Sequence, residues 1–240
     1  MTVTALQSPT VDAAISYLYK ESEAEQPSVE TCIVPLQRLV TACPLRCVEL
    51  NNLTRRRAIE YYRTVEDTSE VFEEKDEEPL AGFLYATSRV GTIFAERTHR
   101  ITRRRFTVAH ELGHYLRHLR PLFEFLKGSG RETVVEISEV FTTEPSTAEE
   151  EDAVMSQLGT IEIFSEEEAE RLLPTYEDME READEFAGEL LMPAALVREL
   201  AKIHGKSLRE KDLCWRLADE MLVSYGAMNK RLNELSITAT

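Results

Sequence analysis

Residues 102–118 read TRRRFTVAHELGHYLRH, and the reading of the fold turns on them. On a helix, His110 and His114 leave one face about one turn apart, so both imidazoles can reach a single metal ion. Glu111 follows the first histidine and emerges near the same end, where it can take a proton from a water held by that metal. Phe106, Ala109, Gly113 and Leu116 form an apolar stripe beside the histidines, which places the helix in a core rather than in solvent. Gly113 lowers helix propensity by about 1 kcal/mol relative to alanine. That loss makes sense where another backbone or a substrate must come close.

A catalytic zinc commonly has three protein ligands and leaves its fourth position to water. A third histidine six residues beyond His114 is excluded, because positions 117 and 120, where that pattern needs glycine and histidine, are both arginine. The remaining histidines are His99, His118 and His204, of which His118 lies a further turn along the same face and reads as structural or supporting. A better source is EREADEFAGELLMP, residues 180–193. One helical turn separates Glu180 from Asp184. Glu180 can therefore coordinate the metal while Asp184 accepts a hydrogen bond from the other ring nitrogen of a ligand histidine, fixing its tautomer. Ala183, Phe186, Ala187, Leu190 and Leu191 supply the stripe that packs this helix against the first. Glu177, Glu182, Glu185 and Glu189 compete for the ligand role.

Outward from these two stretches, residues 1 to about 75 read as mostly helical. VDAAISYLYKE, VPLQRLVTAC and TRRRAIEYYRTV carry apolar residues at helical spacing, with Thr54 as N-cap of the third. A charged break, EEKDEEP at 73–79, precedes AGFLYATSRVGTIFAE, a hairpin signal turning across Ser88 to Gly91. Helices follow the acidic stretch: DMEREADEFAGELLM stopped by Pro193, LREKDLCWRLADEML behind Ser207, and YGAMNKRLNEL behind Ser224. No internal repeat is visible. Helices, then a hairpin, then helices indicate an α+β class. It is expected to be a mostly helical, zincin-like domain, with a small β-hairpin or sheet on the His-Glu helix and an N-terminal helical extension. The regions are 1–75, a core at 76–200 with an insertion at about 121–175, and a C-terminal helical pair at 201–240.

The net charge is −16, with 28 basic and 44 acidic residues. From Pro121 to Glu180 there are 17 acidic and 3 basic residues, so one segment holds nearly all the excess. Its low-complexity pieces, TTEPSTAEEED and SEEEAE, read as a solvated, partly flexible insertion, or as a tethered lid or a recognition surface for a basic partner. Arg97, Arg100, Arg103, Arg104 and Arg105 crowd the opposite charge just before it. So acidic a chain is a poor nonspecific coat for nucleic acid. No apolar run reaches the roughly 18–20 residues that cross a bilayer, and MTVTALQSPTVDAA lacks the layout of a secretory signal. Four scattered cysteines (Cys32, Cys43, Cys47, Cys214) form no disulfide framework. A cytoplasmic location without membrane attachment is the expectation.

RRRFTVAHELGHYLRH followed by EREADEFAGELLMP resembles the ImmA/IrrE family of metallo-endopeptidases. Both blocks take part, as does the preceding hairpin; the resemblance runs from about residue 80 to 235, the acidic segment excepted. It implies zinc on His110, His114 and Glu180, with Glu111 as general base and acid. Asp184 matches the family's Asn or Asp. The resemblance further implies cleavage of a specific intracellular protein partner, often a helix-turn-helix repressor. Two departures stand out: the 66 residues from His114 to Glu180 exceed the family's expected spacing, and the N-terminal helices match nothing in it.

Tyr115, His118 and Arg105 are candidate donors to an oxyanion. The competing reading is a non-catalytic or gated module using LADEMLVSYGAMNKRLNEL, which has helix-turn-helix spacing and offers Arg216, Lys230 and Arg231 to phosphates. Residues 201–240 carry only 7 basic against 5 acidic groups, so direct DNA binding is not expected.

Overall fold

The computed structural model describes residues 6, 8–64, 77–127, 134–140, 160–164, 172–205 and 208–237. Helix α1 (Val11–Ser22) starts where the Thr10 hydroxyl accepts from the Ala13 amide at 3.2 Å. After α2 (Leu36–Val40) and strand β1 (Leu45–Leu50), α3 (Arg55–Arg63) begins at Thr54, whose hydroxyl accepts from Arg57 N at 3.2 Å. The hairpin is β2 (Leu80–Thr87) and β3 (Gly91–Glu96), closed by amides of Arg89 and Val90 donating to the Thr87 hydroxyl. Helix α4 (Ile101–His114) runs through a π-helical turn (Tyr115–Leu119) into α5 (Arg120–Leu126). Strands β4 (Val134–Val140) and β5 (Thr160–Phe164) follow, then α6 (Tyr176–Leu191), α7 (Ala194–His204), α8 (Glu210–Met221) and α9 (Tyr225–Glu234).

The strands form one sheet in the order β1-β3-β2-β4-β5, with β1 parallel to β3 and the other neighbours antiparallel. Alternate residues of β2 and β3 point to opposite faces, and both faces are covered. Phe83, Tyr85 and Phe94 pack with Ile59 and Tyr62 of α3 in one apolar cluster. Leu84, Ala86, Ile93 and Ala95 join α4, α6 and the C-terminal helices in the larger one. That explains why LAGFLYA reads as a continuous apolar run rather than an alternation. Phe83 and Phe94 are among the largest fully buried side chains, each worth about 1.5–3 kcal/mol of burial. The architecture is therefore α+β and mostly helical, with the sheet between α3 and α4.

Two regions depart from the sequence reading. The N-terminal region, expected to be helical, contributes β1, which extends the sheet beyond a hairpin; its Gly91 neighbour leaves room for Leu45, whose Cδ2 would lie 2.7 Å from an added Cβ. The acidic stretch, expected to be a solvated insertion, supplies α5, β4 and β5. In β4, Val135 and Ile137 are buried, and so is Glu136, whose carboxylate accepts two bonds from Arg55, Nε at 2.5 Å and Nη2 at 2.9 Å. TTEPSTAEEED, SEEEAE and Ser207 lie outside the described residues.

The C-terminal pair is helical as expected, with Ser224 capping α9 through Ala227 N at 3.1 Å. Its apolar face belongs to the main core through Leu213, Leu217, Met221, Met228 and Leu232. Arg231, considered above as a phosphate contact, is engaged internally: it pairs with Glu189 and Glu234 and donates to the Met192 carbonyl at 3.0 Å. Among the described residues no helix is long and apolar enough to cross a membrane.

Candidate metal centre

Helix α4 enters the core so deeply that every residue from Thr107 to His114 is buried. Helix α6 is set by its own first turn. The Thr175 hydroxyl accepts from the Asp178 amide at 3.2 Å, and Glu177 and Asp178 sit where the helix dipole favours negative charge. The two helices cross where both have small residues. A Cβ on Gly113 would stand 2.9 Å from Phe186 Cδ1, 3.2 Å from Ala183 Cα and 3.3 Å from Ala183 O. The glycine is thus required by the approach of a neighbouring backbone, the first of the alternatives raised by the sequence.

That crossing brings one turn of α6 over the paired histidines. His110 Nε2 and His114 Nε2 lie 3.0 Å apart; Glu180 Oε2 is 3.3 Å from the first and Oε1 is 3.1 Å from the second. A tetrahedral ion with bonds of about 2.0–2.1 Å to such atoms requires ligand separations of about 3.3–3.4 Å. Two imidazole nitrogens and a carboxylate match the His-His-Glu donor set of zinc sites. Among the described residues this is the one group of metal-capable side chains found to converge. The donors fit the ion that the sequence motif implies.

The electrostatics suit the same use. Burial lowers the pKa of His114, so the ring stays neutral with a lone pair to offer. Burial pushes Glu180 the other way, but its close contacts with the His110 and His114 rings outweigh it and hold the carboxyl well below its ordinary range. Glu180 keeps 30 % of its side chain exposed while His114 keeps none. Glu111 is fully buried on α4 between the two histidines in sequence. Asp184 Oδ1 stands 3.0 Å from His110 Nδ1, the contact its one-turn spacing from Glu180 requires.

The competitors for the third position fall away by geometry. Glu177 is exposed; Glu189 pairs with Arg231 and accepts from Ala194 N at 3.0 Å. Glu185 lies 3.8 Å from Arg117, and Glu182 accepts from both Arg117 and His118, each at 3.1 Å. His118 Nδ1 is 3.3 Å from His114 Nδ1, and burial foremost pushes its pKa down to about 2. His204 pairs with Glu220 at 3.1 Å. Of the three oxyanion candidates, His118 has both nitrogens engaged, Arg105 donates to the Val34 carbonyl at 3.1 Å, and Tyr115 lies in the core. Arg104, from the basic cluster, pairs with Glu49 of β1. Sequence reasoning passed over Arg117, a buried arginine whose partners come from distant positions and leave no local signal.

The family model Peptidase M78, the IrrE N-terminal-like domain, matches residues 69–133 and 144–233, well over half of the chain. The match takes in both helices of the site and most of the acidic stretch, breaking only at 134–143. No curated protein matches the chain significantly. With its His-Glu helix, its downstream glutamate and a match of this extent, the chain belongs to the IrrE N-terminal-like domain family of peptidases.

Proposed function

We propose that this chain is a zinc-dependent endopeptidase acting on a specific protein partner inside the cell. The observation that carries the reading is the convergence of His110, His114 and Glu180 at separations of 3.0–3.3 Å. Zinc held by these three residues would supply Lewis acidity, lowering the pKa of a water toward about 7 and polarising a carbonyl.

The residues of the chain do the rest. His110 and His114 present neutral Nε2 lone pairs, and Glu180 presents a charged oxygen to each. Asp184 accepts the Nδ1 proton of His110, which turns Nε2 toward the metal position. Glu111 is the general base and acid: it takes the proton of the attacking water and returns it to the departing amine. Its complete burial keeps bulk water from competing for that proton. The resemblance of the two sequence blocks to ImmA/IrrE enzymes supports a helix-turn-helix repressor as the protein cleaved.

Co-expression with helix-turn-helix regulators, followed by mass spectrometry of fragments, tests the proposal. Cleavage is expected in the wild type, to vanish with a chelator, and to fall by about 10²–10⁴-fold in Glu111→Gln while zinc stays bound. Loss of zinc from that variant would contradict the role given to Glu111.

A further inference from the structure

His114 is buried with no exposed side-chain surface, and its non-ligating nitrogen faces another imidazole rather than a carboxylate. Given the metal reading above, on which this inference rests, the proton positions along the contacts follow one another. Nε2 of His114 faces the metal position and must carry a lone pair, so its Nδ1 carries the proton. That proton has one neighbour at 3.3 Å, Nδ1 of His118, which must therefore accept. The proton of His118 then sits on Nε2 and donates to Glu182 Oε2 at 3.1 Å. Arg117 donates from Nη2 to the same oxygen at 3.1 Å, so the carboxyl is held from both sides.

Arg117 is itself fixed. Its Nη1 donates to the Glu182 carbonyl and its Nε to the Pro9 carbonyl, both at 3.1 Å. Pro9 lies outside the family match, which begins at residue 69, so the N-terminal region reaches this arrangement by its own route. The π-helical turn buries all of Tyr115 to Leu119, which places both Arg117 and His118 inside.

We propose that His118, Glu182 and Arg117 are positioning residues that fix the tautomer and ring orientation of His114 for metal binding, as Asp184 does directly for His110. The site thus has two supports, both from α6: a direct carboxylate for one histidine and a carboxylate relayed through an imidazole for the other. Partners of ligand histidines typically govern metal affinity by about 10–100-fold.

The test is zinc affinity by chelator competition on the full chain, with tautomers read by long-range ¹H–¹⁵N correlation in the zinc-loaded protein. His118→Leu removes the acceptor and is expected to weaken zinc binding by about 10–100-fold. His118→Asn restores an acceptor near the Nδ1 position and should recover part of the loss. Glu182→Leu removes the acceptor of the His118 proton at a side chain outside the apolar core, so it is expected to weaken zinc binding in the same direction even if His118→Leu folds poorly. The wild type should show His114 protonated on Nδ1 and His118 on Nε2. A proton on His118 Nδ1, or unchanged affinity in folded His118 and Glu182 variants of a zinc-binding wild type, overturns the relay alone. A wild-type chain that binds no zinc overturns the metal reading and the relay with it.

Discussion

Gly113→Ala probes the contact that brings the two ligand-bearing helices together. An alanine in the middle of a helix gains about 1 kcal/mol over glycine. Against that, the added methyl meets three atoms at once: Phe186 Cδ1 at 2.9 Å, Ala183 Cα at 3.2 Å and Ala183 O at 3.3 Å. Phe186 is completely buried and two of the three atoms are backbone, so no flexible side-chain end is there to give way. Overpacking of this kind costs about 1–3 kcal/mol, and three simultaneous contacts place it in the upper half of that range. The net expectation is a loss of about 1–2 kcal/mol, or a Tm lower by roughly 2–8 °C for a chain of this length. Because α6 must move away from α4, zinc affinity should fall in the same variant. Gly188→Ala is the internal control: on the same α6, an added Cβ meets nothing within 4 Å. It should gain about 0.5–1 kcal/mol. Thermal unfolding of both variants without metal decides the matter. A Gly113→Ala protein as stable as Gly188→Ala would refute the close crossing.

Glu96, buried at the end of β3, accepts from the Leu53 amide at 2.5 Å and from the Thr98 amide and hydroxyl at 2.9 and 2.7 Å. Burial alone would raise its pKa, but these hydrogen bonds together lower it below the usual 4.5. A lowered carboxyl pKa contributes stability that is present above the unfolded value and lost as pH falls through the folded one. Glu96→Gln should therefore cost about 1–2 kcal/mol near neutral pH, and the gap should close as denaturation curves are repeated below about pH 4; a gap constant with pH would contradict the assignment. Asp184→Ala should weaken zinc binding by about 10–100-fold in a chelator competition, and an unchanged affinity would show that the 3.0 Å contact with His110 does not orient the ligand.

The site was more legible in the sequence than the sheet. His110, His114, Glu180 and Asp184 are two pairs at four-residue spacing, and helical geometry alone decides that each pair shares a face. The apolar stripes at Ala109 and Gly113 and at Ala183 and Phe186 then indicate which faces meet. Strand β1 was hidden because LRCVEL is an edge strand whose extended form rests on pairing with β3, about 45 residues away in sequence. In β4 the alternation was present in VVEISEV, but the acidic composition around it masked the pattern, and the buried Glu136 matched no apolar template. Its partner, Arg55, comes from 81 positions earlier. The relay behind His114 was illegible for the same reason: Arg117 reads as a surface charge until Glu182 and Pro9 are brought to it by the fold.

Anomalous diffraction at the zinc edge, from crystals of the zinc-loaded chain, locates the ion itself. One peak per chain is expected, about 2.0–2.2 Å from His110 Nε2, His114 Nε2 and an oxygen of Glu180, and none in crystals of Glu180→Ala grown at the same zinc concentration. A peak ligated elsewhere, or one coordinated by the two histidines without Glu180, would contradict this ligand set.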